Sequence, residues 1–171
     1  MTSPAPIPLD AETRAAERPV DHKAELRLWL KLLTCCNLVE AEIRRRLAAK
    51  FSVTLPRFDL LAQLDKAPDG LTLGETSRRM MVSNANVTTL VERLVADGLI
   101  SRRADPSDRR TAYIRLTPEG RRAFAAMARA HEQWIAELFE DLDGEDVAGL
   151  MRLLGKAKLS VGRATADRRT R

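Results

Sequence analysis

Five arginines, Arg102, Arg103, Arg109, Arg110 and Arg115, fall within SRRADPSDRRTAYIRLTPEG, the stretch from Ser101 to Gly120. Guanidinium groups at this density bind phosphate well, through charge and through paired N–H donors. Just upstream, SNANVTTLVERL offers a different set: Ser83, Asn84, Asn86, Thr88, Thr89 and Arg93. Asparagine can pair bidentately with adenine, and threonine can meet a thymine methyl or a phosphate. A helix N-terminus adds its own affinity for phosphate. Arg78 and Arg79 stand a few residues earlier still. These groups suit a long, narrow, negatively charged target.

They act together only if local structure presents them on one side. LTLGETSRRMM reads as a short helix opened by a capping box of Thr72 and Glu75. VSN breaks it. SNANVTTLVERLVADGLI reads as another helix, the fourth in the chain, capped by Ser83 and stopped by Gly98. Val87, Leu90, Val91 and Leu94 form its apolar face, which leaves Asn84, Asn86, Thr88, Thr89, Glu92 and Arg93 outward. LISRR and AYIRL then read as two short strands around the turn-rich ADPSDRR. TPEG opens another helix, with Thr117 as N-cap and Pro118 at the first helical position. Helix, tight turn, helix and arginine-tipped hairpin is the order of a winged helix-turn-helix. In that arrangement the second helix enters the major groove, Arg78 and Arg79 lie where the first helix crosses the backbone, and Arg109 and Arg110 reach the minor groove. The competing reading is an amphipathic helix with a solvated face. Against it stand the lack of lysine on that face and the basic hairpin that follows at once.

The rest of the chain gives a frame for this segment. With 171 residues, 44% hydrophobic and 31% charged, it has room for one core and a dimerisation lobe. Net charge is +5, yet residues 71–122 carry ten arginines and no lysine against six acids. That is the layout of one anion-facing surface on a mildly acidic body. No apolar run is long enough to span a bilayer, and the N-terminal stretch lacks the apolar centre of a secretory signal, so the expected location is cytoplasmic, with no membrane partner. Residues 1–20 are expected to be a disordered arm and 162–171 a basic disordered tail. A long helix over 21–50 has two apolar faces, Leu26, Trp29, Leu33, Cys36, Ile43 and Leu47 on one and Leu28, Leu32 and Val39 on the other, and so needs two partners. SVTLPRFDLLAQLDKAPDG reads as a second helix opened by Pro56 and ended by APDG. A fifth helix runs from Pro118 to about Asp141, with Phe124, Met127, Trp134, Leu138 and Leu142 on one face. A sixth runs from about Gly144 to Leu159, capped by Asp143, with Val147, Leu150, Met151 and Leu154 inward. Residues 21–50 and 121–161 are then the helical dimerisation region, and 51–120 the DNA-binding domain.

SNANVTTLVERLVADGLISRRADPSDRRTAYIRLTPEGRR resembles the MarR-type transcriptional regulators. Their wing pattern, Asp-x-Arg followed by Leu-Thr, is met by Asp108, Arg110, Leu116 and Thr117. LTLGETSRRMMVS resembles the helix before recognition in that family, and the likeness spans roughly Ala24 to Val161. It implies a fold that is mainly α with a small β wing: a winged helix-turn-helix inside a six-helix, obligate-dimer architecture. It also implies a homodimer interlocked through the first, fifth and sixth helices, double-stranded DNA as partner, and an ion pair by which Asp108 braces the wing arginine. TLPRFDLLAQLDKAPDGLTLGETSRRMMVSNANVT looks most like regulators of hydroxycinnamate catabolism. This implies repression released by a small-molecule effector, an aromatic acid or its acyl-CoA thioester.

Candidate effector residues follow from scarce types. Only 4% of the chain is aromatic. Trp29, Phe58 and Trp134 could line a pocket between the first, second and fifth helices, with ordinary packing as the alternative. Arg44, Arg45 and Arg57 could meet a carboxylate or CoA phosphates, or could be solvated helix arginines. Cys36 lies on the same stripe. Cys35 and Cys36 invite a redox-sensing alternative, but neighbours on a helix cannot pair with each other, and apolar surroundings would keep both thiols inert. His131 and His22 lack the companions a metal site needs. There is no glycine-rich phosphate loop and no nucleophile–base set, so the chain does not read as an enzyme and no cofactor is expected. The remaining alternatives are a ligand-independent architectural DNA binder and a dimeric interaction module that has lost DNA binding.

Overall fold

The computed structural model describes residues 24–104 and 112–166. The element order is α1 (Ala24–Phe51), α2 (Leu55–Asp65), β1 (Leu71–Thr72), α3 (Leu73–Met80), α4 (Asn84–Ala96), β2 (Ile100–Ala104), β3 (Ala112–Leu116), α5 (Pro118–Leu138) and α6 (Gly144–Ala166). The fold is mainly helical with a small antiparallel wing sheet. Two compact units are distinct, one ending at Glu132 and one beginning at Gln133, and α5 runs unbroken from the first into the second.

The core of the first unit is drawn from every element around the helix-turn-helix. Ile43 and Leu47 of α1, Phe58, Leu60, Leu61 and Leu64 of α2, Val87, Val91 and Leu94 of α4, Ile100, Ile114 and Leu116 of the sheet, and Phe124 and Met127 of α5 are all buried. The inward face expected for α4 is therefore the observed one, with Leu90 only half-buried. Removing this apolar area from water is what fixes α4 relative to the wing.

The wing corrects the two-strand expectation. β2 and β3 pair in register Ile100↔Leu116 to Ala104↔Ala112, and β1 adds to the other side of β3 through Leu71↔Ile114 and Thr72↔Tyr113, giving the order β1-β3-β2. A two-residue strand carries no periodicity to read. What admits it is Gly70, at φ +93, where an added Cβ would lie 2.7 Å from the Arg115 side chain and 2.8 Å from the Ile114 carbonyl.

Thr117 joins the wing to α5. Its hydroxyl donates to the Gly98 carbonyl at 2.7 Å, its oxygen accepts the Gly120 N–H at 2.9 Å, and its own N–H donates to the Leu99 carbonyl at 3.0 Å. One side chain thus caps α5 and ties it to the turn that ends α4. Gly120 then passes so close to the Leu99 carbonyl that no Cβ fits between them.

Three further expectations are corrected. In α1 only Ile43 and Leu47 of the expected stripe are buried, while Leu26, Trp29, Leu33 and Cys36 are exposed in the single chain. The helix is core toward its C-terminal half and exposes its apolar stripe toward its N-terminal half. In α6 no residue is buried, so Val147, Leu150, Met151 and Leu154 do not face inward within the chain. The same helix continues to Ala166, so residues 162–166 are helical rather than part of a disordered tail. Its cap is as expected: the Glu145 and Asp146 N–H groups donate to Asp143 Oδ1 at 2.8 and 2.9 Å.

Candidate nucleic-acid interface

The supporting helix α3 begins with the capping box foreseen from its sequence. The Thr72 N–H donates to Glu75 Oε2 at 2.8 Å and the Glu75 N–H donates to Thr72 Oγ1 at 3.2 Å. The bonds from Thr72, first its backbone N–H and then its hydroxyl, hold the Glu75 carboxyl below its ordinary range. Thr76, a buried polar residue, satisfies its hydroxyl by donating to the Thr72 carbonyl at 2.8 Å. Arg78 and Arg79 emerge exposed from the last turn, where cations also complement the helix dipole.

A tight turn carries the chain into α4. Ser83 caps that helix by accepting the Asn86 N–H at 3.3 Å, which leaves other N–H groups of the first turn facing outward. Ser83, Asn84, Asn86, Thr89 and Arg93 are exposed and Thr88 is half-buried. The amide groups of Asn84 and Asn86 stand at the N-terminal end, where a recognition helix meets base edges. The threonines are more constrained than the sequence implied. Thr88 donates its hydroxyl to the Asn84 carbonyl at 2.9 Å and Thr89 to the Ala85 carbonyl at 3.3 Å. Their hydroxyl protons are thus committed to the helix, and what they offer outward is a methyl group and oxygen lone pairs. They fit a thymine methyl better than a phosphate.

Beyond α4 the wing stem carries Arg102 and Arg103, both exposed on β2. These two were visible in the sequence as part of the arginine cluster but were not singled out as contacts. Their pairing register, Arg102↔Ile114 and Arg103↔Tyr113, puts them on opposite faces of the hairpin. Arg109 and Arg110, read from the sequence as the wing tip, and Asp108 with them lie outside the described residues.

The effector candidates differ in their settings. Phe58 is buried, its ring centroid 5.6 Å from Phe124 and 5.0 Å from the His131 ring, so it is core between α2 and α5. Trp29 is exposed, and Trp134 is buried in the second unit. Arg44 is held by Glu40. Arg45 and Arg46 both reach Glu42, with a closest approach of 2.6 Å in each case. These bonds, that from Arg45 first, hold the Glu42 carboxyl down at about 2. Arg57, expected to be exposed, is largely covered and paired with Asp97. Cys35 and Cys36, expected to be buried, are both exposed in the single chain. Among the described residues no group of three or more His, Cys, Asp or Glu is placed to hold a metal ion, and no helix is long and apolar enough to cross a membrane.

Comparison with known proteins agrees with this geometry. The profile of the MarR family matches residues 53–112, the segment from just before α2 to the first residue of β3. The chain is 28% identical over 145 residues to the HTH-type transcriptional regulator YsmB of Bacillus subtilis, covering 82% of this chain and 97% of that protein. It is 28% identical over 147 residues to the transcriptional activatory protein BadR of Rhodopseudomonas palustris, covering 83% of each. Among solved structures, a MarR family transcriptional regulator from Silicibacter pomeroyi is 33% identical, superposes with a TM-score of 0.68, and is matched over 80% of this chain and 94% of that one.

Proposed function

The chain belongs to the MarR family of transcriptional regulators, and we propose that it acts as a homodimeric repressor on a pseudo-palindromic operator in the cytoplasm, released by an aromatic acid or aromatic acyl-CoA. The observation that carries the DNA reading is the capped N-terminus of α4. Ser83, Asn84 and Asn86 are exposed there, with Arg78 and Arg79 just before it and the arginine-bearing wing after it. Base-reading amides, backbone-holding cations and a groove-reaching wing share one short stretch of chain.

Dimerisation is supported by apolar surface left exposed among the described residues. Leu28 and Trp29 of α1 are 56% and 57% exposed, and Met151 and Leu159 of α6 are 69% and 66% exposed. Surface of this kind marks a protein interface. Two paired α4 helices then meet half-sites whose centres are about 10 base pairs apart.

The effector reading is supported by the resemblance to hydroxycinnamate regulators and by exposed Trp29, a free aromatic surface on α1. The burial of Phe58 and the carboxylate partners of Arg44, Arg45 and Arg57 weigh against those residues as direct contacts. Exposure of both thiols favours a second reading, in which oxidation of Cys35 or Cys36 releases DNA.

One experiment tests the whole proposal. An operator is selected from a random duplex pool, and the preformed complex is titrated with free hydroxycinnamates, their CoA thioesters and hydrogen peroxide. Release by an aromatic acid or thioester supports the first reading and release by peroxide alone the second. Release by none leaves an architectural DNA binder.

A further inference from the structure

Met81 sits in the left-handed region, φ +55, with 91% of its surface exposed. The turn that puts it there is closed by three bonds. The Met81 N–H donates to the Arg78 carbonyl at 3.4 Å, the Val82 N–H to the Ser77 carbonyl at 3.2 Å, and Ser77 Oγ to the Val82 carbonyl at 2.5 Å. These crossed backbone bonds end a helix in the way that usually calls for glycine at this position, because a side chain crowds the left-handed backbone. Any residue without a Cβ would serve the turn better. The thioether chain adds nothing to the core either, since almost all of it is in solvent. The fold therefore carries local strain and an exposed apolar chain with no return inside the molecule, a combination that points to a role outside it.

Position says what that role is. Met81 is two residues before Ser83, a reach of about 7 Å along the chain. It thus shares an edge with the cap of α4 and with the exposed amides of Asn84 and Asn86. Val82 beside it is 37% exposed, so the turn presents two apolar side chains just ahead of the base-reading polar ones. In the major groove the apolar feature of a base edge is the C5 methyl of thymine.

We propose that Met81, backed by Val82, packs against a thymine methyl at the operator position flanking those read by Asn84 and Asn86, and so sets a preference for thymine there. The proposal rests on the DNA-binding reading above.

The test uses the full chain and an operator it selects from a random duplex pool. Each thymidine is replaced in turn by deoxyuridine, which removes only the C5 methyl. Affinity and unfolding temperature are compared for the native chain, Met81→Gly and Met81→Asn, the last also tolerant of a left-handed backbone. Met81→Gly is expected to unfold about 2–4 °C higher. Both variants are expected to bind the thymine operator about fourfold more weakly, the worth of one buried methylene-sized group. The native chain should lose the same factor at one deoxyuridine position, and the variants should not notice that swap. Gain of stability with unchanged affinity overturns the proposal, because Met81 then only ends α3. Unchanged or lower stability in Met81→Gly overturns it as well, since the side chain would then serve the fold. Equal weakening of the variants on thymine and deoxyuridine duplexes places Met81 on the sugar–phosphate instead and overturns the thymine contact. If the native chain selects no duplex at all, the DNA-binding reading falls and this proposal falls with it.

Discussion

Arg57, in the first turn of α2, is ion-paired to Asp97, the residue that closes α4. The pair fastens the far end of the recognition helix to the body of the first unit. It is lopsided: the Arg57 side chain is 18% exposed and that of Asp97 47%, and Arg57 Nε is buried with no hydrogen-bond acceptor among the described residues. Stranding the arginine is therefore worse than stranding the aspartate. Asp97→Ala should cost about 2 kcal/mol and Arg57→Met about 1 or less, read from urea unfolding with an unchanged m-value. The reverse order would show that the arginine is held by packing rather than by its partner.

Gly120→Ala poses a contest between two signs. Alanine improves an exposed helix position by about 1 kcal/mol over glycine. Here its Cβ would be driven into the Leu99 carbonyl, and overpacking against backbone costs about 1–3 kcal/mol. The net result should be destabilisation, measured as a lower thermal midpoint. A rise would mean that the junction between wing and α5 can open without loss.

The two kinds of DNA contact should separate under salt. Arg110→Ala, in the segment joining β2 to β3, should weaken binding to every duplex and reduce the slope of log K against log salt by about 1. Asn84→Ala should cost the selected operator about 1–3 kcal/mol and a scrambled duplex little. Equal losses on both duplexes for Asn84→Ala would make it a backbone contact.

His131, half-buried beside Phe58, gives a pH prediction. Burial is the main influence and holds its ring below the ordinary 6.5, partly opposed by the charge of Asp59. The folded chain thus binds fewer protons than the unfolded one, so this contribution is complete above the ordinary histidine range and is lost as pH falls through it. Between about pH 7.5 and about pH 5.5 the native chain should lose more stability than His131→Gln. Parallel curves would show that His131 is equally easy to protonate in both states.

Assembly can be tested on α6. Leu150 and Leu154 are exposed on it at 45% and 44%. Leu150→Glu should halve the mass seen by light scattering at micromolar concentration, as should Leu154→Glu, while the native chain remains a dimer. A native monomer at that concentration sinks the dimer reading.

Much of this was legible in the residues because local rules and tertiary packing agree. Thr72 with Glu75, Ser83, Thr117 and Asp143 announce their helices through caps that the structure uses. The spacing of Val87, Val91 and Leu94 gives the face that is buried. What stayed hidden depends on distant partners. Nothing near Arg57 signals Asp97, forty residues on. β1 is too short for a period, and the clash that makes Gly120 necessary arises from Leu99 across a turn. Cys35 and Cys36 misled for a related reason: an apolar stripe shows that a surface will be covered, not that its own chain covers it.

That last point has a consequence in the cell. A helix of 23 residues with none of them buried would, in the proposed dimer, derive much of its order from the partner surface that covers it. For such a segment dilution acts as a denaturant, since its folded fraction rises and falls with the supply of partner surface. Gene dosage then sets more than occupancy of the operator. In the proposed dimer, a chain too dilute to pair would expose α6 to proteases, so the expected sign of dissociation is cleavage within α6.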